Sequence, residues 1–218
     1  MLKTRVITAV IGFIIALGAI TLGGSIYDVL ITLLALLGWR EFVILGKAKR
    51  VRISIIWGYI SILLLMIALA CHQYIIAIAI LVLSLFANYM LCTFGETKYS
   101  MSSVSFSVFG LLYIAMGMTS LLLIRHDSIY MTLSMPFELY NWGTITLWLL
   151  LFTTWASDTF AYFSGRAFGK CKIVPSISPN KTLEGFIGGF IGCIITGVVF
   201  SYIVGIPWWM GIHVGMIS

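Results

Sequence analysis

Apolar runs of about twenty residues without a single charge recur six times along this chain, at 6–26, 53–70, 74–94, 103–124, 139–157 and 186–206. A bilayer core of about 30 Å takes ~20 helical residues to cross. Lipid offers no water to the backbone, so a spanning segment is either a helix or part of a closed barrel. A barrel strand alternates with period two, whereas these runs are continuously apolar. A seventh run, 27–45, has the right length but contains Arg40 and Glu41. Only 9% of the chain is charged and 61% is apolar, against roughly 25% charged in soluble domains. The expectation is an all-α, polytopic membrane helical bundle forming one integral membrane domain over 1–218. It has about seven transmembrane helices and a partial eighth after Pro207.

The opening Met-Leu-Lys-Thr-Arg imitates a signal peptide, but the run behind it is long enough to span, which favours an uncleaved first helix. With the N-terminus in the cytoplasm, twelve of the thirteen Lys and Arg fall inside and Arg125 alone falls outside. The net charge of +6 is therefore a topology signal and does not imply a nucleic-acid partner. Lys47, Lys49, Arg50 and Arg52 fit an anchor beside anionic lipid. The stretch from Arg125 to Glu138 reads as a solvated outer connector. Cys71, Cys92, Cys171 and Cys193 show no metal spacing and read as small membrane-buried residues.

Ionisable groups at the depth of Arg40 and Glu41 cost up to about 3 kcal/mol each at a helix centre, less near its end. Two readings stay open: a mutual, snorkelling pair, or Glu41 facing a polar cavity. In the last run Gly185, Gly189, Cys193 and Gly197 form one stripe, with Gly188, Gly192 and Thr196 beside it. Such stripes allow close helix contact. His213 stands alone and reads as no ligand.

Charge and polarity concentrate in one window, 155–189, flanked by two apolar runs. If the sixth helix continues past Ser157, Asp158, Tyr162 and Arg166 share a face at i, i+4 and i+8. A carboxylate there can hold a divalent cation and the guanidinium can fork onto phosphate oxygens. Gly165-Arg-Ala-Phe-Gly-Lys is one residue short of a Walker loop, and Cys171 stands where Ser or Thr would bind metal. Ser178 followed by Pro179 predicts a helix cap and first helical position. Lys181 and Thr182 then fall in a first turn whose free N–H groups attract anions. A plain cap with topology-setting lysines is the competing reading.

Two motifs, Asp158-x-x-Ala-Tyr-x-x-Gly-x-x-Phe-Gly-Lys and Ser178-Pro-x-Lys-Thr-x-x-Gly-Phe-Ile-Gly-Gly, closely resemble those of the CDP-diacylglycerol synthases, or phosphatidate cytidylyltransferases. The opening Met-Leu-Lys-x-Arg-x-Ile-Thr-Ala and the Glu41-Phe42 pair are similar to that family too. The resemblance implies that CTP and phosphatidate give CDP-diacylglycerol and diphosphate, with Mg²⁺ as cofactor. It implies a multi-pass protein of the inner (plasma) membrane with its active face cytoplasmic. It also implies a substrate-binding hairpin at 157–185. Asp158, Lys170 and Lys181 would be catalytic. Tyr162, Gly165, Arg166, Gly169, Lys172, Ser178, Pro179, Thr182 and Gly185 would bind substrate. Asp158, joined by Glu41, would hold metal, while Glu184 reads as an ion-pairing helix residue.

The family's C-terminal signature, with its Gly-Asp, Lys-Arg, Lys-Asp, Pro-Gly-His-Gly-Gly and Asp-Arg elements, does not occur in these 218 residues. The expectation is a truncated or split synthase, inactive alone, working as a homodimer or with a complementing C-terminal chain. Three alternatives stay open: a CTP-dependent polyprenol or dolichol kinase, a transporter or non-catalytic membrane subunit, and a degenerate paralogue that binds nucleotide without turnover. The topology is testable directly. A membrane-impermeant amine probe should modify Lys170 in inverted vesicles but not in intact cells; labelling from outside would remove the cytoplasmic assignment.

Overall fold

The computed structural model describes residues 2–94, 100–126, 142–176 and 178–218. Among the described residues eight helices follow one another: α1 (Leu2–Leu22), α2 (Gly24–Ala48), α3 (Ile55–Ala70), α4 (Tyr74–Phe94), α5 (Met101–His126), α6 (Trp142–Phe168), α7 (Leu183–Val204) and α8 (Trp208–Ile217). The protein is an all-helical membrane bundle. Helices α2, α5 and α7 are long and apolar enough to cross a membrane; 10–22 of α1, α3 and 74–90 of α4 are apolar but shorter. The chain divides into two compact units, Met1–His126 and Asp127–Ser218. The expected start of the sixth span, at 139, and most of the expected outer connector lie outside the described residues.

In the first unit α2 packs on α3 and α5. Its buried residues Tyr27, Ile31, Ala35, Trp39 and Val43 recur every fourth position, which places them on one face. Two aromatic rings of α2 lie over small partners: the Trp39 ring occupies the space over Gly58, and the Phe42 ring that over Gly110. Trp39 donates its indole N–H to the Ile55 carbonyl at 3.1 Å, so its polar edge is satisfied. Polar side chains are paired across helices. Ser54 donates to Asn88, and the Ser107 hydroxyl accepts from the Ser54 N–H at 3.3 Å. Such pairing is needed where no water competes.

Two expectations change here. Arg125 and His126 do not begin a solvated connector; they end α5. His126 lies 2.6 Å from Asp28 of α2, and Arg125 donates to the Ile20 carbonyl at 3.2 Å. Cys71 is exposed at the C-terminal cap of α3, and Cys171 is exposed on a loop; Cys193 is buried as expected. Both exposed thiols fall where the chain turns, which the apolar context did not reveal.

In the second unit α7 is central, packed between α6 and α8. The small residues predict this contact. A side chain at Gly189 would meet the Ser157 carbonyl and Ala161 Cβ at 3.0 Å; one at Gly215 would meet the Cys193 carbonyl at 2.8 Å. With backbones this close, Ile145, Leu149 and Ile206 form a core against Trp142, Phe200, Val204 and Val214. Helix α6 has 27 residues, about 40 Å at ~1.5 Å per residue, longer than the hydrocarbon core.

Gly189→Leu should overpack this seam and lower stability in detergent by about 1–3 kcal/mol or more. Gly117→Leu, on α5 with open space around it, should stay within about 0.5 kcal/mol of wild type. Equal behaviour of the two variants in an unfolding titration would contradict the packing described.

Candidate functional site

The sixth helix does not stop where its apolar run stops. It continues eleven residues past Ser157, to Phe168, running through Gly165, since a single glycine costs a helix only about 1 kcal/mol. Asp158, Tyr162 and Arg166 thus share a face, and Arg166 donates from Nη1 to the Tyr162 hydroxyl at 2.9 Å. The chain leaves α6 at Gly169, whose N–H reaches the Gly165 carbonyl at 3.1 Å. It then returns as a hairpin. Lys172 and Thr182 form an antiparallel bridge. Beside the bridge, the Leu183 N–H donates to the Cys171 carbonyl at 2.9 Å and the Ile173 N–H to the Lys181 carbonyl at 3.2 Å.

Helix α7 begins later than Ser178-Pro179 suggests. The segment 178–181 is a turn, with the Lys181 N–H donating to the Ser178 carbonyl at 3.3 Å. Ser, Pro and Asn favour the first three positions of a type I turn as much as a helix start, and the turn wins because Thr182 must remain extended to pair with Lys172. Thr182 has φ −119 and ψ 154, and its hydroxyl accepts the Gly185 N–H, capping a helix that starts at Leu183. Lys181 and Thr182 therefore precede the first turn. The Leu183 and Gly185 N–H groups are occupied by Cys171 and Thr182. These two N–H groups are therefore not free for an anion.

These pieces enclose a cavity of about 640 Å³ in the second unit. Its lining includes Asp158, Tyr162, Gly165, Arg166, Gly169, Lys172, Lys181, Thr182 and Gly185 of the expected site. Lys170, Ser178 and Pro179 are not among the lining residues. Ser157, Ala161, Ile173, Asn180 and Phe186 join it unforeseen; the helical period through Ala161 was the available signal. The three glycines let the walls approach. A Cβ on Gly185 would sit 2.9 Å from the Ala161 carbonyl and 3.2 Å from Gly165 Cα.

Arg166, Lys172 and Lys181 share this lining with one carboxylate, Asp158. Three cations around an aqueous hollow suit a polyanion. Glu184 is occupied elsewhere: both its oxygens accept the Cys171 N–H, at 3.1 and 3.2 Å. Glu41 belongs to α2 in the first unit, where its exposed carboxylate lies 3.7 Å from Arg40. Among the described residues no three His, Cys, Asp or Glu side chains form a metal-holding group.

Comparison with known proteins adds the remaining finding. A model of the cytidylyltransferase family matches residues 3–218. A phosphatidate cytidylyltransferase of Bacillus subtilis is 28% identical over 213 residues, covering 94% of this chain and 74% of that protein. One from Staphylococcus haemolyticus is 27% identical over 205 residues, covering 93% and 73%, and one from Staphylococcus aureus is 25% identical over 205 residues, again covering 93% and 73%. No solved structure matches.

The assignment of the cap is open to test. Thr182→Ala should cost about 1 kcal/mol of stability through loss of the cap, Thr182→Ser should retain most of it, and Ser178→Ala should cost less than Thr182→Ala. The reverse order in thermal unfolding would restore the earlier helix start.

Proposed function

The chain belongs to the cytidylyltransferase family, and from that premise we propose that it transfers the cytidylyl group of CTP to phosphatidate, giving CDP-diacylglycerol and diphosphate. The observation that carries this reading is the cavity at the charged end of α6 that Arg166, Lys172 and Lys181 line together with Asp158. The matched relatives bear the name of that activity. We place the cavity on the cytoplasmic side of the inner membrane, where CTP is found; the distribution of Lys and Arg supports this orientation.

The chemistry asks for little beyond charge and alignment. The phosphatidate monoester, with a second pKa near ~6, is already ionised at neutral pH and needs no strong base. One of its oxygens attacks the α-phosphorus of CTP, and the bond from that phosphorus to the β-phosphate oxygen breaks in line. Arg166 offers a planar fork to phosphate oxygens, while Lys172 and Lys181 offer point charges. They offset the charge that gathers on the departing diphosphate. Tyr162 orients Arg166 through the bond between them.

The donor set fits a Mg²⁺ ion carried with the nucleotide. Such an ion is commonly held by one or two carboxylates together with substrate phosphates and water, and Asp158 supplies one carboxylate in this lining. When bound, Mg²⁺ contributes charge neutralisation across the phosphates.

Position-labelled CTP distinguishes this reaction from phosphoryl transfer. In membranes of cells producing the protein, label at the α-phosphate should enter lipid and label at the γ-phosphate should leave as diphosphate. Transfer of γ-label to lipid with release of CDP would contradict the proposal and indicate a lipid kinase. Arg166→Gln and Lys181→Gln should each lower kcat/KM for CTP by about tenfold to a hundredfold, the scale of a lost charged hydrogen bond.

A further inference from the structure

Glu184 is a carboxylate beside a phosphate-suited cavity that does not line it. It sits in the first turn of α7, and both its oxygens accept the Cys171 N–H, at 3.1 and 3.2 Å. That N–H lies in the segment joining Lys170 to Lys172, and Lys172 does line the cavity. The same segment is held to the approach of α7 by two backbone bonds, Leu183 N–H to Cys171 O at 2.9 Å and Ile173 N–H to Lys181 O at 3.2 Å. A pairing this short is marginal in water by itself.

Charge makes it weaker still. Lys170, Lys172 and Lys181 lie on the two strands of this hairpin, and Glu184 is the one acid between 169 and 186. Without bound phosphate the lysines repel one another. A carboxylate bonded to the backbone between two of them opposes that repulsion and fixes the peptide. Its place in the first turn of a helix is itself favourable for negative charge.

We propose that Glu184 is a positioning residue: it clamps the 170–172 segment to the start of α7 from outside the cavity, and so presets Lys172 for the triphosphate. It touches neither nucleotide nor metal. The inference rests on the CTP reading of the cavity for its consequence, but the clamp can be observed without any ligand.

The experiment has two arms, each on the whole protein in lipid nanodiscs. Amide hydrogen exchange of the ligand-free protein reports the clamp. Glu184→Ala should speed exchange in peptides spanning 169–174 by about tenfold or more, the scale of one charge-assisted bond, with the interior of α7 unchanged. Glu184→Gln, which keeps an amide oxygen as acceptor, should retain most of the protection. CTP binding reports the consequence: Kd should rise about tenfold in the Ala variant and less in the Gln variant, with the Mg²⁺ concentration for half-maximal binding unchanged in both. Unaltered exchange in the Ala variant would overturn the clamp. Loss of CTP binding in the Gln variant equal to that in the Ala variant, with a raised Mg²⁺ requirement, would overturn it in favour of a metal ligand. If wild type binds no CTP, the nucleotide reading fails, and the exchange arm still decides whether Glu184 holds the loop.

Discussion

Two helix backbones approach one another closely where α6 passes α7, and the candidate site depends on that approach. Gly185 and Gly189 on α7 lie against the Ala161 and Ser157 carbonyls of α6, with no room for a larger side chain. Lipid gives little hydrophobic drive for helices to associate, so contact of this kind, van der Waals and short-range, has to hold them. The consequence is geometric. Asp158 and Arg166 of α6 come to line one hollow with Lys172 and Lys181 of the hairpin. Wider spacing of the two helices would separate Asp158 and Arg166 from the two lysines.

The first unit solves a different problem with the same means. Its buried polar groups are matched across helices: Ser54 with Asn88, Tyr27 with the Leu121 carbonyl at 3.0 Å, and Asp28 with His126 at 2.6 Å. Each pairing satisfies groups that hydrocarbon would leave bare. Its aromatic residues fill the space over glycine rather than stacking on one another alone. The Trp39 and Phe42 rings are 5.7 Å apart, and both cover glycines of neighbouring helices.

The helices and the site differ in how far the sequence reveals them. Apolar run length locates helices well because bilayer thickness imposes it. The helical spacing of Asp158, Tyr162 and Arg166 announces their shared face, and the glycine stripe announces a close neighbour without naming it. The beginning of α7 is harder. Ser178-Pro179-Asn180 satisfies both a turn and a cap, and the decision comes from Thr182 pairing with Lys172, ten residues away. The Asp28–His126 pair spans 98 positions and leaves no local trace. Glu184 looks like a helix-surface ion pair because its backbone partner becomes visible only once the hairpin is closed.

On our proposal this hollow holds the triphosphate of CTP. Photo-crosslinking with an azido-CTP, followed by peptide mapping, is the direct test: adducts should fall within 157–186, and excess CTP with Mg²⁺ should suppress them. Adducts confined to 2–126, or adducts indifferent to competing CTP, would contradict it.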